Sequence, residues 1–453
     1  MYLSRLILVF LCIHLSTTLA SICSEENYSS QQCECEEIFS NNEIYLALKC
    51  SIFPQLKTHI NYRSIEFEFC SNDLDFSQQT FENLTINILR IRHCNLLNLN
   101  EQTFANIKQF EKFYFENSTI KSLTTHENNF QDIFSINSFQ TLKFLTLKSI
   151  HYHQTHVHDK KLNFEYLLQQ LPNLHRLELT NILLDSYRYT NVQLVGQKLT
   201  YLSLTNTHQT SLVPIEYLSS LEQLLIRQLP EIFKTQPLIK SLKKLKFLKY
   251  ILFEHNDIKS IDSLESASLD DIDLTSNSIE TIDEYTFEHV PKLRQLTLTN
   301  NPLNQIDKNA FCGVEKLQRL SIHIKHRQIS PLDNCFLINY PYLKIIQDNQ
   351  MKFSCNCQLL NIYQEKNRTI NRIFKSHQNC LLENQFVQFY ELEQRLNCSM
   401  NPFEQCEPIC QKRRVKVLST HIEHIQGKDN HSTRITLSAC AFFLSAFVYN
   451  FIF

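Results

Sequence analysis

His151, His153, His156 and His158 form the most concentrated group of metal-ligand side chains in the sequence. Imidazoles at this spacing bind zinc or copper when a loop folds around the ion. No cysteine in the segment completes a ligand set, so we interpret it as a solvated polar loop without a metal. None of the serines, histidines or acids falls into a nucleophile motif, and three glycines are too few for a phosphate-binding loop. The sequence therefore predicts a protein that is not an enzyme and needs no cofactor.

Charge is balanced over the chain, which has 44 Lys plus Arg and 46 Asp plus Glu. This balance gives no reason to expect nucleic acid or an anionic membrane surface as a partner, so partners must be recognised locally. A small-molecule substrate is not expected either. One local strip of positive charge consists of Lys240, Lys243, Lys244, Lys246 and Lys249. Clustered lysines can hold sulfated glycans or acidic headgroups, but we interpret this strip as a solvated face.

Residues 1–20 have the features of a secretory signal peptide. Arg5 precedes an apolar run from Leu6 to Ile13, and Ala20 suits cleavage by signal peptidase. Export brings the sixteen cysteines into an oxidising compartment, where we expect them to form disulfides. Export also makes six Asn-x-Ser/Thr sequons accessible to glycosylation, at Asn27, Asn83, Asn117, Asn367, Asn397 and Asn430.

The C-terminal end, residues 435–453, is nineteen mainly apolar residues without a charge. This length can span a bilayer as a helix. However, no Lys or Arg follows it, and a polar stretch precedes it, so we favour its replacement by a GPI anchor over a transmembrane span. Residues 411–434 are interpreted as a polar stalk, although Lys412-Arg413-Arg414 would also suit a processing protease. Either form of the tail predicts location at the extracellular face of the plasma membrane.

A repeat of the form Leu-x-x-Leu-x-Leu-x-x-Asn-x-Leu runs through residues 53–346, in about eleven copies mostly 21 to 27 residues apart. Each apolar-x-apolar pair predicts a short strand that turns two side chains inward and the middle one outward. Because one repeat cannot bury its own apolar face, the repeats must stack into a continuous core with a parallel sheet. The predicted fold class is therefore an α/β solenoid.

Two sets of side chains are expected to hold the stack together. The amides of Asn256, Asn277 and Asn301 lie where they can satisfy loop backbone groups inside it. Four phenylalanines are expected to fill the convex side, opposite the sheet: Phe81, Phe104, Phe287 and Phe311.

Cysteines flank the repeats at both ends, where a solenoid would otherwise expose its core. Residues 21–52 contain Cys23, Cys33, Cys35 and Cys50, and residues 347–410 contain the Cys-x-Cys segment Phe353-Ser354-Cys355-Asn356-Cys357, followed by Cys380 and Cys398. These flanks resemble those of extracellular leucine-rich-repeat proteins, the group that includes Slit, Toll ectodomains and the Nogo receptor. The resemblance implies a horseshoe with a concave parallel sheet and disulfide-bonded caps. It also implies the pairs Cys355–Cys380 and Cys357–Cys398, and leaves the N-terminal pairing open.

The other cysteines allow further pairs. Cys406 and Cys410 are expected to pair locally, and Cys312 and Cys335 to bridge neighbouring convex loops. Cys70 and Cys94 occupy the Asn position of two successive repeats. We interpret them as buried thiols, with a disulfide as the alternative because stacking can bring their Cα atoms to about 5–6 Å.

The outward positions of the predicted sheet are mostly polar, except in the middle repeats. There we predict a ligand-binding patch, named the central patch, made of Tyr201, Leu225, Arg227, Tyr250, Leu252 and Glu254. Aromatic, Arg and exposed aliphatic residues are the types that carry binding energy at protein interfaces. The predicted function is a cell-surface adhesion molecule or co-receptor that binds a protein ligand. A structural matrix or coat glycoprotein is the alternative, and a metal-dependent enzyme using the histidine segment is a third.

Overall fold

The computed structural model describes residues 22–398 with gaps, together with Cys410; the gaps are 26–27, 41–42, 78–80, 126–129, 154–160, 186–195, 208–214, 236–241, 262–263, 323–343, 348–352, 358 and 361–378. The predicted signal peptide, stalk and tail lie outside the described residues. The chain divides into two compact units, Met1–Ser399 and Met400–Phe453. In the described part, no helix has the length and apolar character needed to cross a membrane.

One large sheet of fourteen strands dominates the first unit. Its first two strands form an antiparallel hairpin, and each later strand lies parallel to its neighbour. In sheet order the strands are β1 (Cys33–Ser40), β2 (Glu43–Cys50), β3 (Asn61–Glu68), β5 (Thr85–Arg92), β7 (Lys112–Glu116), β9 (Phe144–Lys148), β11 (Arg176–Thr180), β12 (Tyr201–Thr205), β13 (Gln223–Arg227), β14 (Tyr250–Glu254), β15 (Asp271–Asp273), β17 (Gln295–Thr297), β19 (Arg319–Ile322) and β20 (Lys344–Gln347).

Shorter elements follow the main strands as the chain turns back. A second parallel sheet contains β4 (Leu74–Asp75), β6 (Asn95–Leu97), β8 (Thr119–Ile120) and β10 (His151–Tyr152), and β16 (Thr281–Ile282) pairs with β18 (Gln305–Ile306). The α-helices are Ile22–Glu25, Phe164–Gln170, Pro230–Thr235 and Leu392–Arg395. The 3-10 helices are Tyr28–Gln31, Glu101–Phe104, Phe130–Ser135, Asn137–Thr141, Ile215–Tyr217, Leu242–Lys244 and Phe389–Glu391. The last hairpin pairs β21 (Asn379–Leu382) with β22 (Gln385–Gln388).

A strand is present in all eleven predicted repeats, in one continuous register, although Leu274 and Leu298 lie one residue beyond the ends of β15 and β17. Ile65 aligns with Leu89, Leu89 with Phe113, and the same alignment continues to Leu320. Both inward residues of each pair are buried. One further strand, β20, was missed because Gln347 stands where the pattern requires the second apolar residue. The predicted fold, a leucine-rich-repeat solenoid with a parallel sheet, is therefore the observed one.

The phenylalanines and asparagines act as expected. Phe81 stacks on Phe104 with ring centroids 5.7 Å apart, and Phe287 stacks on Phe311 at 5.5 Å, all of them buried. The amide oxygen of Asn277 accepts hydrogen bonds from the backbone N–H groups of the preceding repeat. Buried backbone groups that would otherwise lack partners are thus satisfied by the side chain of a neighbouring repeat.

Disulfides close both ends of the repeat array. In the N-terminal flank, Cys23 bonds to Cys35 and Cys33 to Cys50, which resolves the pairing that the sequence left open. In the C-terminal flank, the pairs Cys355–Cys380 and Cys357–Cys398 are confirmed. Cys312 and Cys410 are each disulfide-bonded, while their proposed partners, Cys335 and Cys406, lie outside the described residues.

The interpretation of Cys70 and Cys94 as free thiols was wrong. They form a disulfide, with Cα atoms 4.9 Å apart. Successive parallel strands lie about 4.8 Å apart, so equivalent positions of adjacent repeats fall at disulfide distance. The next repeat has Ser118 at this position, and its hydroxyl accepts from the N–H of Cys94 and donates to the carbonyl of Glu116.

Candidate ligand-binding face

The six predicted residues of the central patch come together on three adjacent strands. Leu225 of β13 aligns directly with Leu252 of β14, and Arg227 aligns with Glu254. Tyr201 of β12 and Tyr250 of β14 both align with Gln223, which lies between them. Since strands are about 4.8 Å apart, the two tyrosines are separated by roughly 10 Å across the face.

The two leucines form the floor of the patch. Only 6% of Leu225 and 9% of Leu252 is exposed, which corrects the expectation that both are open to solvent. Side chains on neighbouring strands stand close enough to cover one another, so the flanking residues shield the leucines. The tyrosines, Arg227 and Glu254 are half-buried and remain accessible. The accessible side chains of the patch are therefore aromatic and charged, and the two leucines pack beneath these side chains.

Arg176 extends the patch on one side, and the sequence did not indicate it. Its guanidinium lies 3.6 Å from the ring centroid of Tyr201, a cation–π contact. The Nε of Arg176 also donates to Glu178 at 2.8 Å. Arg176 stands just before the first inward residue of its strand, as Tyr201 and Tyr250 do in theirs. This shared position in the repeat is the sequence signal that would have indicated Arg176.

Acidic residues border the other side of the patch. Asp271 aligns with Tyr250, and Asp273 aligns with Leu252. Burial raises the pKa of Tyr250 to about 12, and the carboxylates of Asp273 and Asp271 add to this. Burial, together with Asp273 and Asp270, also raises the pKa of Asp271. The Tyr250 hydroxyl therefore stays protonated at physiological pH and is available as a hydrogen-bond donor.

The central patch also has an internal ion pair. The Nε of Arg227 lies 3.1 Å from a carboxylate oxygen of Glu254, and both side chains remain about one third exposed. A partly exposed ion pair of this kind contributes little to stability. It leaves both groups preorganised at the surface, where a partner can bind either one.

The N-terminal part of the same face is occupied by ion pairs. Arg92 contacts Glu66 at 3.2 Å and Glu116 at 3.0 Å, and Lys49 contacts Glu68 at 2.8 Å. A partner docking there would have to replace these ion pairs with contacts of its own. This part of the face therefore offers less unused binding capacity than the central patch.

The structure bears on the lysine strip and describes only part of the histidine segment. In the lysine strip, Lys243 pairs with Glu265 and Lys249 with Glu222, so two of its five charges are paired, while Lys240 lies outside the described residues. Of the histidine segment, only the residues up to His153 are described; His156 and His158 lie outside them. No group of three or more potential metal ligands occurs in the described part of the chain.

A leucine-rich-repeat family profile matches residues 267–323. No curated protein matches the sequence. Among solved structures, an internalin (InlF) from Listeria monocytogenes strain 4b F2365 is 16% identical, with a TM-score of 0.38, over 64% of this chain and 76% of the internalin. A TLR13 chain, solved in complex with the single-stranded RNA ssRNA13, is also 16% identical, with a TM-score of 0.36, over 64% of this chain and about half (53%) of its own. The profile match and the single register of the strands show a leucine-rich-repeat fold, and the flanks of the repeats are cysteine-rich and disulfide-bonded.

Proposed function

We propose that the protein is a cell-surface glycoprotein that binds a protein ligand through the central patch and acts as an adhesion molecule or co-receptor. The observation that carries this proposal is the chemistry of the patch. Two half-buried tyrosines, an arginine and an acid lie over a leucine floor, on rigid strands in one register. Aromatic and Arg side chains in partly desolvated surroundings are the residues that dominate protein-protein affinity.

Location outside the cell is part of the same proposal. Disulfides in both flanks are consistent with an oxidising compartment, and Asn83 and Asn397 lie exposed, where a glycan can be attached. We propose residues 1–20 as the signal for export and residues 435–453 as the membrane attachment, through a GPI anchor or as a span. A lipid-anchored chain has no cytoplasmic part, so signalling would require a partner in the same membrane.

Attachment can be tested on cells that express the full chain with an epitope tag after Ala20. Surface staining is measured before and after phosphatidylinositol-specific phospholipase treatment, with a known GPI-anchored protein as control. Release of the tag supports the GPI anchor, and retained staining supports a span. Absence of the tag from the surface would contradict the export on which the glycoprotein assignment depends.

Ligand binding is tested by probing the same cells with a panel of purified ectodomains. We expect saturable binding of a specific ectodomain and a loss of about 30-fold in affinity for Tyr250→Ala, since truncating a central aromatic costs about 2 kcal/mol. Tyr114→Ala is the matched control, because Tyr114 lies on the same face in β7, beside the ion-paired end, with its ring 4.8 Å from the Arg90 guanidinium. Equal losses for both variants, at equal surface expression, would refute the placement. Absence of any saturable binding would favour a structural matrix or coat glycoprotein.

A further inference from the structure

In each of ten repeats, the residue two positions after the second inward residue has a left-handed backbone conformation. These ten residues, named the strand-end row, are Phe69, His93, Asn117, Ser149, Asn181, Asn206, Gln228, His255, Ser276 and Asn300, with φ between 46° and 57°. The backbone N–H groups of the first nine bond to carbonyls of the following repeat, as from His93 to Glu116 and from Asn117 to Lys148. The row therefore runs across the repeats at the ends of the strands, with one member per repeat.

Most members of the row suit this conformation, because short polar side chains tolerate it best. Several are also linked side chain to side chain: Asn206 donates to Asn181 at 2.8 Å, and Asn181 donates to Ser149 at 2.7 Å. Equivalent side chains in neighbouring repeats therefore point the same way and meet. A side chain at one position of the row has the side chain of the next repeat as its neighbour.

The first two members are aromatic and break this polar pattern. The rings of Phe69 and His93 stack with centroids 4.7 Å apart and an angle of 4° between their planes. Phe69 is 66% exposed and His93 is exposed as well. A bulky residue with positive φ and an exposed aromatic ring are both unfavourable, so the stack is a candidate for a role other than folding.

Asn117 is the next member of the row and belongs to the sequon Asn117-Ser118-Thr119. Arg92 aligns with Glu116, so His93 and Asn117 are register neighbours, about 4.8 Å apart. Ser118 and Thr119 are held by hydrogen bonds to Cys94. The side-chain amide of Asn117 makes no hydrogen bond within the described part of the chain, and it is partly exposed.

We propose that Asn117 carries an N-linked glycan whose first sugar packs on the ring of His93, on the side opposite Phe69. This inference rests on the export proposed above. The first residue of an N-glycan is a pyranose with a flat face of C–H bonds, and such bonds pack on the electron-rich face of an aromatic ring. Phe69, His93 and the sugar then form three layers at successive positions of the strand-end row, about one strand spacing apart.

The consequence is a glycan with a fixed direction. Anchored on the His93 ring, which Phe69 supports from its other face, the glycan lies over the first repeats, beside the ion-paired part of the face, instead of moving freely around Asn117. It thereby covers the free face of the His93 ring. The central patch begins at β12, three strands after β7 in the sheet order, and stays accessible. The row thus gives the chain a way to restrict ligands to its middle repeats.

The test uses the full chain from secretory cells that make only high-mannose glycans. Mass spectrometry measures occupancy of Asn117 and the rate at which diethylpyrocarbonate modifies His93. The chain is compared with its intact glycan, after endoglycosidase trimming to one sugar, and as Asn117→Gln. Gln228 occupies the same row position with φ 56°, so glutamine fits the backbone at position 117. His255 is the matched control, because it is an exposed histidine of the same row without a neighbouring sequon.

We expect the rate at His93 to be at least about threefold lower with one sugar or the intact glycan than in Asn117→Gln, as an occupied ring face requires. The rate at His255 should be the same in all three forms. Equal rates at His93 in all three forms would overturn the proposal, as would an unmodified Asn117 in a chain glycosylated at Asn83. Absence of glycan from both asparagines would instead contradict export, and the two failures are therefore distinguishable.

Discussion

Replacing Asn277 with alanine tests whether side-chain amides hold the central repeats together. The Asn277 amide oxygen accepts from the N–H groups of Asn256 at 3.0 Å and Ile258 at 3.3 Å, and its Nδ2 donates to the carbonyls of Phe253 at 2.6 Å and Leu274 at 2.9 Å. The same Nδ2 also donates to the carbonyl of Thr275 at 3.2 Å. Alanine removes all five bonds and leaves two buried donors without a partner. At about 1–1.5 kcal/mol for each buried donor, and less for each carbonyl, we expect a loss of about 3 kcal/mol.

Hydrogen–deuterium exchange of the purified chain gives this value locally, without requiring that a repeat array unfold in one step. A loss of about 3 kcal/mol corresponds to roughly 100-fold faster exchange of the amides of Asn256 and Ile258. Asn95→Ala is the control, because the Asn95 side chain lies at the surface and donates to Asp73. An acceleration below about fivefold for Asn277→Ala would refute the reasoning, since five bonds to backbone groups would then be worth under about 1 kcal/mol.

Two further predictions concern stability. Replacing both Cys70 and Cys94 with serine should lower the free energy of unfolding by about 3 kcal/mol, because the disulfide spans 24 residues of sequence. A non-reducing peptide map of the wild-type chain in which the Cys70 and Cys94 peptides run separately would contradict the bond. Asp271→Asn should raise the Tm at neutral pH by about 1 °C, because burial and neighbouring carboxylates raise the pKa of Asp271 and disfavour its ionised form in the folded state. The stability that the raised pKa of Asp271 contributes is fully present below the ordinary value of 3.8 and is lost as the pH rises through the folded pKa. The gain in Tm from Asp271→Asn should therefore vanish near about pH 3. A gain that is independent of pH would contradict this cause.

The fold was predictable because the residues that specify it recur. Every strand needs two inward apolar residues at fixed spacing, and stacking copies this requirement from repeat to repeat. Strand β20 shows the limit, since one polar residue, Gln347, at a required apolar position was enough to hide it. The free-thiol interpretation of Cys70 and Cys94 failed for a different reason. The sequence spacing of the two cysteines permitted both free thiols and a disulfide. The structure decides between them, because the two Cα atoms lie 4.9 Å apart.

The candidate site was predictable in position and less so in content. Alternation along a strand identifies which residues point outward, so the six residues of the central patch were expected on one face. Alternation does not reveal how far a neighbour covers an outward residue, and Leu225 and Leu252 are covered. The contact of Arg176 with Tyr201 was missed for a related reason, because it joins residues 25 positions apart through the register of two strands.

Charge on the outer face illustrates why recognition is harder to predict than the scaffold. Arg92 and Arg227 are both outward arginines at the ends of their strands, and the sequence alone does not distinguish between them. In the structure, Arg92 contacts Glu66 and Glu116 on both sides of it, whereas Arg227 contacts one carboxylate, that of Glu254. A partner gains little by approaching an arginine already compensated on two sides, because it must replace those contacts to form its own. The difference depends on which charges lie on adjacent strands, and the repeat pattern leaves those positions free to vary.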